Sequence, residues 1–207
     1  KSNGNWLTGS ALYTMLGLVL LTMAIMYFLP KLTKNVPAAL ICILVVSGIV
    51  IFAKTSKGLE RLNAQFREKD THKVYWAIVD KLPAEKNGEL VHYLKKNEKQ
   101  NKSYISTAKT LGAKEAKLTY RWIKSSDNYH LLEVHLETGR HHQIRAQLSS
   151  IGCIIKGDLK YGAKRSNPDG SICLHARELS FNHPTNQEPI TVIAPVPQDP
   201  IWQFFEQ

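Results

Sequence analysis

Residues 129–152 read YHLLEVHLETGRHHQIRAQLSSIG, and the change of pattern within this stretch decides the fold class. Up to Thr138 the stretch is predicted to be a strand, paired in a hairpin with LTYRWIKSS at 118–126 through a turn around Asp127. After Gly139 the pattern is that of a helix. Its apolar residues recur at helical spacing: Ile144, Leu148 and Ile151. The stretch therefore combines a β-hairpin with a helix.

The sequence on either side continues this mixture. Residues 55–69 predict a helix whose N-cap is Thr55 or Ser56. Its apolar positions are Leu59, Leu62 and Phe66. Further strands are predicted at Lys73–Asp80, around Ile172–Phe181 and around Ile190–Ala194. Strands interrupted by single helices favour an α+β fold over a doubly wound parallel sheet.

The beginning of the chain has a different character. Residues 11–29 form a run of 19 residues without a charge, and a helix needs about 20 apolar residues to cross a bilayer. We therefore predict a transmembrane helix there, with Lys31 and Lys34 marking its cytoplasmic side. A second apolar run, residues 38–53, has 16 residues and lysines on both flanks. It is either a short membrane helix or a segment that ends in a strand at Ile49–Phe52.

Charge and cysteine content narrow the possible functions. From Lys54 onward the chain carries 24 Lys and Arg against 17 Asp and Glu. This excess favours a polyanionic partner, nucleic acid or acidic lipid, although a merely basic soluble surface explains it equally well. The three cysteines are widely spaced, which argues against a disulfide framework. None of the eight histidines forms an i, i+4 pair, so we predict no metal site.

The strongest cluster of candidate binding residues stands at the start of the helix after Gly139. It consists of Arg140, His141, His142 and Arg145. His141 and Arg145 are four residues apart, so we predict that they share one face of the helix. Helix N-termini attract anions, and arginine adds a fixed charge that suits phosphate or carboxylate. A solvated basic surface is the alternative interpretation of the same residues.

Several blocks in the same order resemble the RluA-type family of RNA pseudouridine synthases. They are SGIVIFAKTSKGLERLNAQF, KVYWAIVDK, LLEVHLETGRHHQIRAQLSSIGCIIKGDLKYG, ICLHARELSFNHP and the closing APVP. The resemblance covers residues 47–207. It implies an α+β catalytic domain with a mixed, mainly antiparallel sheet and flanking helices, incomplete at its N-terminal side.

This resemblance also implies a reaction and its residues. Such enzymes detach a uracil base at C1′ and reattach it through C5, in rRNA or tRNA, without metal or organic cofactor. The target base must be flipped out of its stack. Tyr75 matches the tyrosine that packs on this base, and Arg145 matches the arginine that pairs with the catalytic aspartate. The candidate substrate-binding residues are Ile144, Arg140, His142 and Gln143.

The match fails at the nucleophile. In the family, the segment before Ser-Gly reads His-Arg-Leu-Asp followed by two or three residues, and its aspartate is the nucleophile. Here the residues before Ser47-Gly48 are ICILVV, and no acidic residue precedes Glu60. Asp158 matches a different family position. Without the carboxylate, covalent catalysis has no nucleophile, so we predict no pseudouridine formation.

The segment YFLPKLTKNVPAALICILVV, residues 27–46, looks like a helix–loop–helix piece of SulP-type anion transporters, and residues 10–46 resemble a fragment of such a protein. The sequence therefore predicts a transmembrane-like segment at 1–46 and a partial synthase domain at 47–207, with a sheet edge left uncovered beside Ile49–Phe52. If only residues 11–29 span, the domain is cytoplasmic and membrane-anchored. The alternatives are a membrane-tethered RNA-binding module without catalysis and a transporter fragment. Whether this fusion is a biological protein or an error of gene assembly is left open.

Overall fold

The computed structural model describes residues 40–45, 48–68 and 70–207, with side chains from residue 48 onward. The predicted membrane helix at 11–29 lies outside these residues and stays a prediction. Within the described part of the chain, no helix has the length and apolar character needed to cross a membrane.

A single nine-stranded sheet forms the centre of the fold. The strands are β1 (Leu40–Val45), β2 (Gly48–Ala53), β3 (His72–Val79), β4 (Asn87–Asn97), β5 (Lys102–Ser106), β6 (Lys114–Ser125), β7 (His130–Leu136), β8 (Leu174–Asn182) and β9 (Pro189–Ile193). Their order is β1-β2-β8-β3-β7-β6-β4-β5, and β9 pairs with β8. The β2–β8 pair is parallel, whereas the chain from β8 through β3, β7 and β6 to β4 and β5 is antiparallel. The sheet is therefore mixed and mainly antiparallel, as predicted.

Three helices and one 3₁₀ turn accompany the sheet. They are α1 (Ser56–Glu68), α2 (Gln143–Ser150), α3 (Pro200–Glu206) and the 3₁₀ turn Leu159–Tyr161. Thr55 caps α1, because its hydroxyl accepts a hydrogen bond from the Gly58 amide at 3.0 Å. Of the three apolar residues predicted to face the core from α1, only Leu62 is buried.

The core lies between the sheet and α2. Ile144 and Leu148 of α2 are buried in one cluster with Ala77 of β3 and Leu132 and Val134 of β7, and Ile151 packs against its margin. The apolar spacing recognised in the sequence therefore does mark the buried side of α2, and this side fixes the orientation of the loop that precedes the helix.

The alternative interpretation of residues 38–53 as a membrane helix is wrong. Their described parts are β1 and β2, and β1 is hydrogen-bonded along β2. The β-branched composition of this run allows it to pair edge to edge, which is the preferred use of such residues in a sheet. The strand predicted at Ile49–Phe52 is confirmed, but the edge predicted to be uncovered is occupied by β1. Val50 and Phe52 nevertheless remain 40% and 50% exposed.

The β4–β5 hairpin and the C-terminal helix α3 were not predicted from the sequence, and neither were β1 and the 3₁₀ turn. The hairpin turn and its flanks are dominated by lysine, asparagine and glutamine, a composition that resembles a loop. These residues nevertheless form strands, because the backbone of Tyr93–Asn97 pairs antiparallel with that of Lys102–Ser106. The helix α3 begins with Asp199 as its N-cap and buries Trp202 and Phe205.

Candidate active site

Tyr75 lies in the middle of β3, two strands from the beginning of β2. Its partner on β8 is Ala176, and Ala176 is also the partner of Gly48. The approach at Gly48 is so close that an added Cβ would lie 2.7 Å from the Ala176 Cβ, and Gly48 has a φ of +128°. Two strand spacings amount to about 10 Å, so the segment that precedes β2 ends near Tyr75.

A pocket of about 180 Å³ opens beside Tyr75. Its lining is mostly apolar and comes from β2, α1, β3 and β8: Ile49, Ile51, Phe66, Lys73, Tyr75, Ala176, Glu178 and Leu179. Burial raises the pKa of the Tyr75 phenol, so its hydroxyl keeps its proton at neutral pH. The hydroxyl of Tyr75 makes no hydrogen bond to another described residue and is available to a ligand.

Arg145 of α2 is held by three hydrogen bonds and is largely buried. Its Nε donates to Oδ2 of Asp158 and its Nη2 donates to Oδ1, both at 2.7 Å. Its Nη1 contacts Nε2 of His142 at 2.9 Å. Asp158 is 1% exposed, so this is a buried bidentate pair, the strongest common form of an ion pair. The guanidinium is also stacked at 4.9 Å on the ring of Tyr161.

The geometry around His142 assigns its tautomer. Arginine can only donate, so Nε2 of His142 must accept from Arg145 and carries no proton. The proton is then on Nδ1, which lies 3.2 Å from the Tyr161 hydroxyl. Burial, and next the charge of Arg145, lower the pKa of His142 to about 4. His142 is thus a neutral residue that orients Arg145, and its left-handed backbone, with φ of 52°, places it there.

His141 is fixed independently by Ser103 of β5. The hydroxyl of Ser103 donates its single proton to the His141 carbonyl oxygen at 2.7 Å. Nδ1 of His141, 2.9 Å from the same hydroxyl, must therefore be the donor, and Nε2 is left without a proton. The rings of His141 and His142 are stacked with centroids 3.8 Å apart. We expected His141 and Arg145 to share a helix face, but α2 begins only at Gln143, so Arg145 contacts His142 instead.

Gln143 and Ile144 point into the protein. Gln143 is 3% exposed, and its amide oxygen accepts from the Thr138 hydroxyl at 2.8 Å and from the Arg140 amide at 2.9 Å. Ile144 is 4% exposed within the core cluster. In this conformation Gln143 holds the loop before α2, and Ile144 anchors the helix to the sheet.

The predicted site residues therefore do not form one cluster. His142 and Arg145 are in contact at the beginning of α2, and Arg140 lies in the loop before it. Gln143 and Ile144 point inward, whereas Tyr75 lies on the sheet. Among the described residues, no hydrogen bond or ring contact joins Tyr75 to Arg140, His142 or Arg145.

Sequence reasoning did not foresee that Asp158 and Tyr161 would be partners of Arg145. The available signal was the spacing of Asp158 and Tyr161, which is three residues. It is the spacing of an N-cap, and the Asp158 carboxylate does accept a hydrogen bond from the Tyr161 amide at the start of the 3₁₀ turn.

No group of three or more His, Cys, Asp or Glu in the part of the chain that the structure describes is arranged to hold a metal ion. Of the three cysteines, the two that are described, Cys153 and Cys173, are buried and reduced. Burial raises the pKa of Cys153 to about 11, so this thiol is a packing group and not a nucleophile at neutral pH.

Comparison with solved structures places this fold among RNA pseudouridylate synthase domains. The human protein "RNA pseudouridylate synthase domain containing 4" superposes with a TM-score of 0.62 at 21% identity, over 76% of this chain and 70% of that chain. The human protein "domain containing 1" of the same series superposes with a TM-score of 0.60 at 22% identity, over 79% and 71%. These likenesses concern the fold.

Sequence comparison gives the family. The family model described as RNA pseudouridylate synthase matches residues 45–150. An uncharacterized RNA pseudouridine synthase of Synechocystis is 35% identical over 156 residues, covering 73% of this chain and 47% of the relative. Ribosomal large subunit pseudouridine synthase D of Zymomonas mobilis is 33% identical over 163 residues, covering 74% and 50%. This chain belongs to the RNA pseudouridylate synthase family, which confirms the RluA-type resemblance.

The chain spans about half the length of the curated relatives it matches. None of the relatives named here is a transporter, so the transporter resemblance of residues 10–46 stays a prediction from the sequence.

Proposed function

We propose that this chain carries part of the active site of an enzyme that isomerises uridine to pseudouridine in structured RNA, rRNA or tRNA. The observation that carries the proposal is the juxtaposition of the beginning of β2 with Tyr75 across Ala176. The family match begins at residue 45, just before β2. The segment that would supply the nucleophile therefore leads directly to the pocket beside Tyr75.

Tyr75 is proposed to pack on the flipped uracil. The pocket of about 180 Å³ beside it is largely apolar, which suits the face of a base. The phenol keeps its proton at neutral pH, so it serves first as a packing surface and hydrogen-bond donor. Lys73 and Glu178 at the rim of the same pocket provide polar groups for the edge of the base.

Arg145 is proposed to be the positioning cation of the site. Asp158, His142 and the Tyr161 ring hold its guanidinium before any substrate arrives. Such preorganisation lowers the cost of aligning a charged partner during the reaction. In the family this partner is the catalytic aspartate, whereas in the present structure Arg145 is paired with Asp158.

The chain as written is proposed to bind RNA without turning it over. In the family pattern the aspartate would stand at Ile43 or Leu44, and both positions carry apolar residues. Asp158 cannot replace it, because its two oxygens are both engaged by Arg145 and the residue is 1% exposed. Attack on the ribose or the base therefore has no carboxylate nucleophile.

A direct assay tests this proposal. The full chain and its Ile43→Asp and Leu44→Asp variants would be incubated with unmodified rRNA and tRNA transcripts, with nucleosides then analysed by liquid chromatography and mass spectrometry. We expect no pseudouridine from the chain as written and product from one of the two variants. Pseudouridine from the unaltered chain would overturn the proposed loss of activity.

A second candidate function is RNA binding in its own right, tethered to a membrane through residues 11–29. The excess of Lys and Arg after residue 53 favours it. Salt-sensitive RNA binding without turnover in all variants, including those with a restored aspartate, would select this function. A transporter fragment is the least supported alternative, and anion uptake into reconstituted vesicles would revive it.

The fusion of residues 1–46 to residues 47–207 can be tested separately. The tryptic peptide NVPAALICILVVSGIVIFAK, Asn35 to Lys54, crosses the proposed junction. Its detection by mass spectrometry of the source cells would establish the fusion as a polypeptide. A peptide that ends in the same SGIVIFAK but is preceded by an aspartate-containing stretch would instead assign residues 1–46 to another gene.

A further inference from the structure

A second groove lies apart from Tyr75, between the β4–β5 hairpin and the loop before α2. It has a volume of about 420 Å³, within the 300–1,000 Å³ range typical of ligand sites. It is lined by Leu94, Lys95, Lys96, Glu98, Ser103, Gly112, Lys114, Gly139, Arg140 and His141. We call this the hairpin groove.

The hairpin groove is strongly cationic. Four of its lining residues are lysine or arginine, and Glu98 is the single acid among them. Glu98 is already neutralised by Lys96, at 2.6 Å. Lys95 and Lys114 are exposed and lie on the neighbouring strands β4 and β6. Within the described residues, neither has a carboxylate within ion-pair distance. Positive charges that are clustered and not neutralised by carboxylates attract anions, so the groove is a candidate anion-binding site.

Two residues of the groove, Arg140 and His141, are set in place by hydrogen bonds to their surroundings. Nε of Arg140 donates to the Glu115 carbonyl oxygen at 2.8 Å, which fixes the guanidinium while leaving its Nη groups free for a ligand. The amide of Arg140 is held by the buried Gln143, and His141 is held by Ser103. Surface cations that are fixed in this way lose little side-chain entropy on binding.

We propose that the hairpin groove binds phosphodiester groups of RNA that flank the target nucleotide. The inference rests on the proposed function and adds a second contact region to it. From β3 to β4 the sheet advances by three strands, through β7 and β6, which amounts to about 14 Å. The base pocket and the hairpin groove are therefore separate sites, and the proposal is that one RNA occupies both. Phosphate contacts of this kind fix the register of the RNA without reading its sequence.

The test compares RNA binding by matched charge variants of the full chain in a neutral detergent. Affinity for a fluorescein-labelled stem-loop RNA would be measured by fluorescence anisotropy between about 50 and 200 mM salt. The groove variant is Lys95→Gln with Lys114→Gln, which removes two exposed cations that have no partner to lose. The two groove substitutions are also made singly, and the charge-matched control for each is Lys86→Gln, just before the first residue of β4 and about 30 Å from Lys95.

We expect the double variant to bind RNA about tenfold more weakly at low salt and to reduce the salt slope by about 1 to 2. The Lys86→Gln control should bind as the unaltered chain does. Arg140→Gln should weaken binding further, and the thermal unfolding midpoint of the Lys95 and Lys114 variant should be unchanged.

Two failures are distinguishable. The first failure is that the unaltered chain binds RNA, Tyr75→Ala abolishes this binding, and the groove variant binds RNA as tightly as the unaltered chain. The proposal for the hairpin groove is then wrong, and the proposed function stands. If the unaltered chain binds vesicles of phosphatidylglycerol but no RNA, both proposals fail, and the same cations serve an acidic lipid surface.

Discussion

Arg145 and Asp158 form a buried bidentate ion pair with both nitrogen–oxygen distances at 2.7 Å. The two residues are on different elements, α2 and the 3₁₀ turn, so the pair also joins the helix to the loop that follows it. The side chain of Arg145 is 16% exposed and that of Asp158 is fully buried. Neither charge can be removed without leaving the other desolvated.

This pair predicts a large effect of a small substitution. Asp158→Asn should destabilise the fold by about 3 kcal/mol, because it leaves the Arg145 charge buried without its partner. Urea unfolding followed by circular dichroism measures the change. Glu89→Gln, which breaks the exposed pair with Lys117, is the control and should have a much smaller effect, because water screens this pair. Equal losses in the two variants would contradict the structural role of Asp158.

His142 predicts a loss of stability in mild acid. Its pKa in the folded chain is about 4, below the ordinary value of 6.5, so the unfolded chain takes up a proton first as the pH falls. Stability is therefore complete above pH 6.5 and declines from there toward pH 4. His142→Asn removes the titratable ring and tolerates the left-handed backbone. The variant should show a shallower decline of the urea midpoint between about pH 7 and 5. A decline as steep as that of the unaltered chain would exclude His142 as a contributor.

Gly48 predicts a steric effect at the junction of β2 with β8. Gly48→Ala places a Cβ 2.7 Å from the Ala176 Cβ and 2.8 Å from its amide nitrogen, at a φ of +128°. We expect a loss on the order of 2 kcal/mol or more, seen as a lowered thermal midpoint. Gly139→Ala is the matched control, since nothing lies within 4 Å of its added Cβ. If both variants unfold at the same temperature, the close approach of β2 to β8 is not real.

We predict that RNA binding is coupled to the protonation of His141. Burial, and next the charge of Lys96, lower its pKa in the free chain. The other groups that act on it are Glu98, Arg145, Lys160 and the stacked His142, with Arg140 adjoining in the loop. A bound phosphate opposes the cations and favours protonation at Nε2, so RNA affinity should increase as the pH falls from about 8 to 6. His141→Asn should weaken this dependence in the same anisotropy assay. Identical pH profiles for the two proteins would rule out His141 as the linked group.

The sequence predicted those parts of the fold that depend on local pattern. The apolar spacing of Ile144 and Leu148, the cap at Thr55 and the β-branched strand Lys73–Asp80 all have local signals, and the structure has a helix, a cap and a strand there. The β4–β5 hairpin has no such signal, because its polar residues pair only through their backbone. That these residues form strands therefore becomes evident only from their backbone pairing in the structure.

The candidate site was predicted in composition but not in arrangement. The Arg140 cluster and Tyr75 were singled out, yet the partner of Arg145 is 13 residues away and reaches it through a turn. The left-handed conformation of His142 breaks the helical spacing on which the expected neighbours of Arg145 were based. Tertiary contacts of this kind have no periodic signature in a sequence.

The most direct test of the central claim is the nucleoside analysis of RNA treated with the purified chain, beside an active member of the family as positive control. The account predicts that the positive control forms pseudouridine and that this chain forms none, because no carboxylate stands before Ser47-Gly48. Pseudouridine at a defined uridine in the presence of the unaltered chain would contradict it.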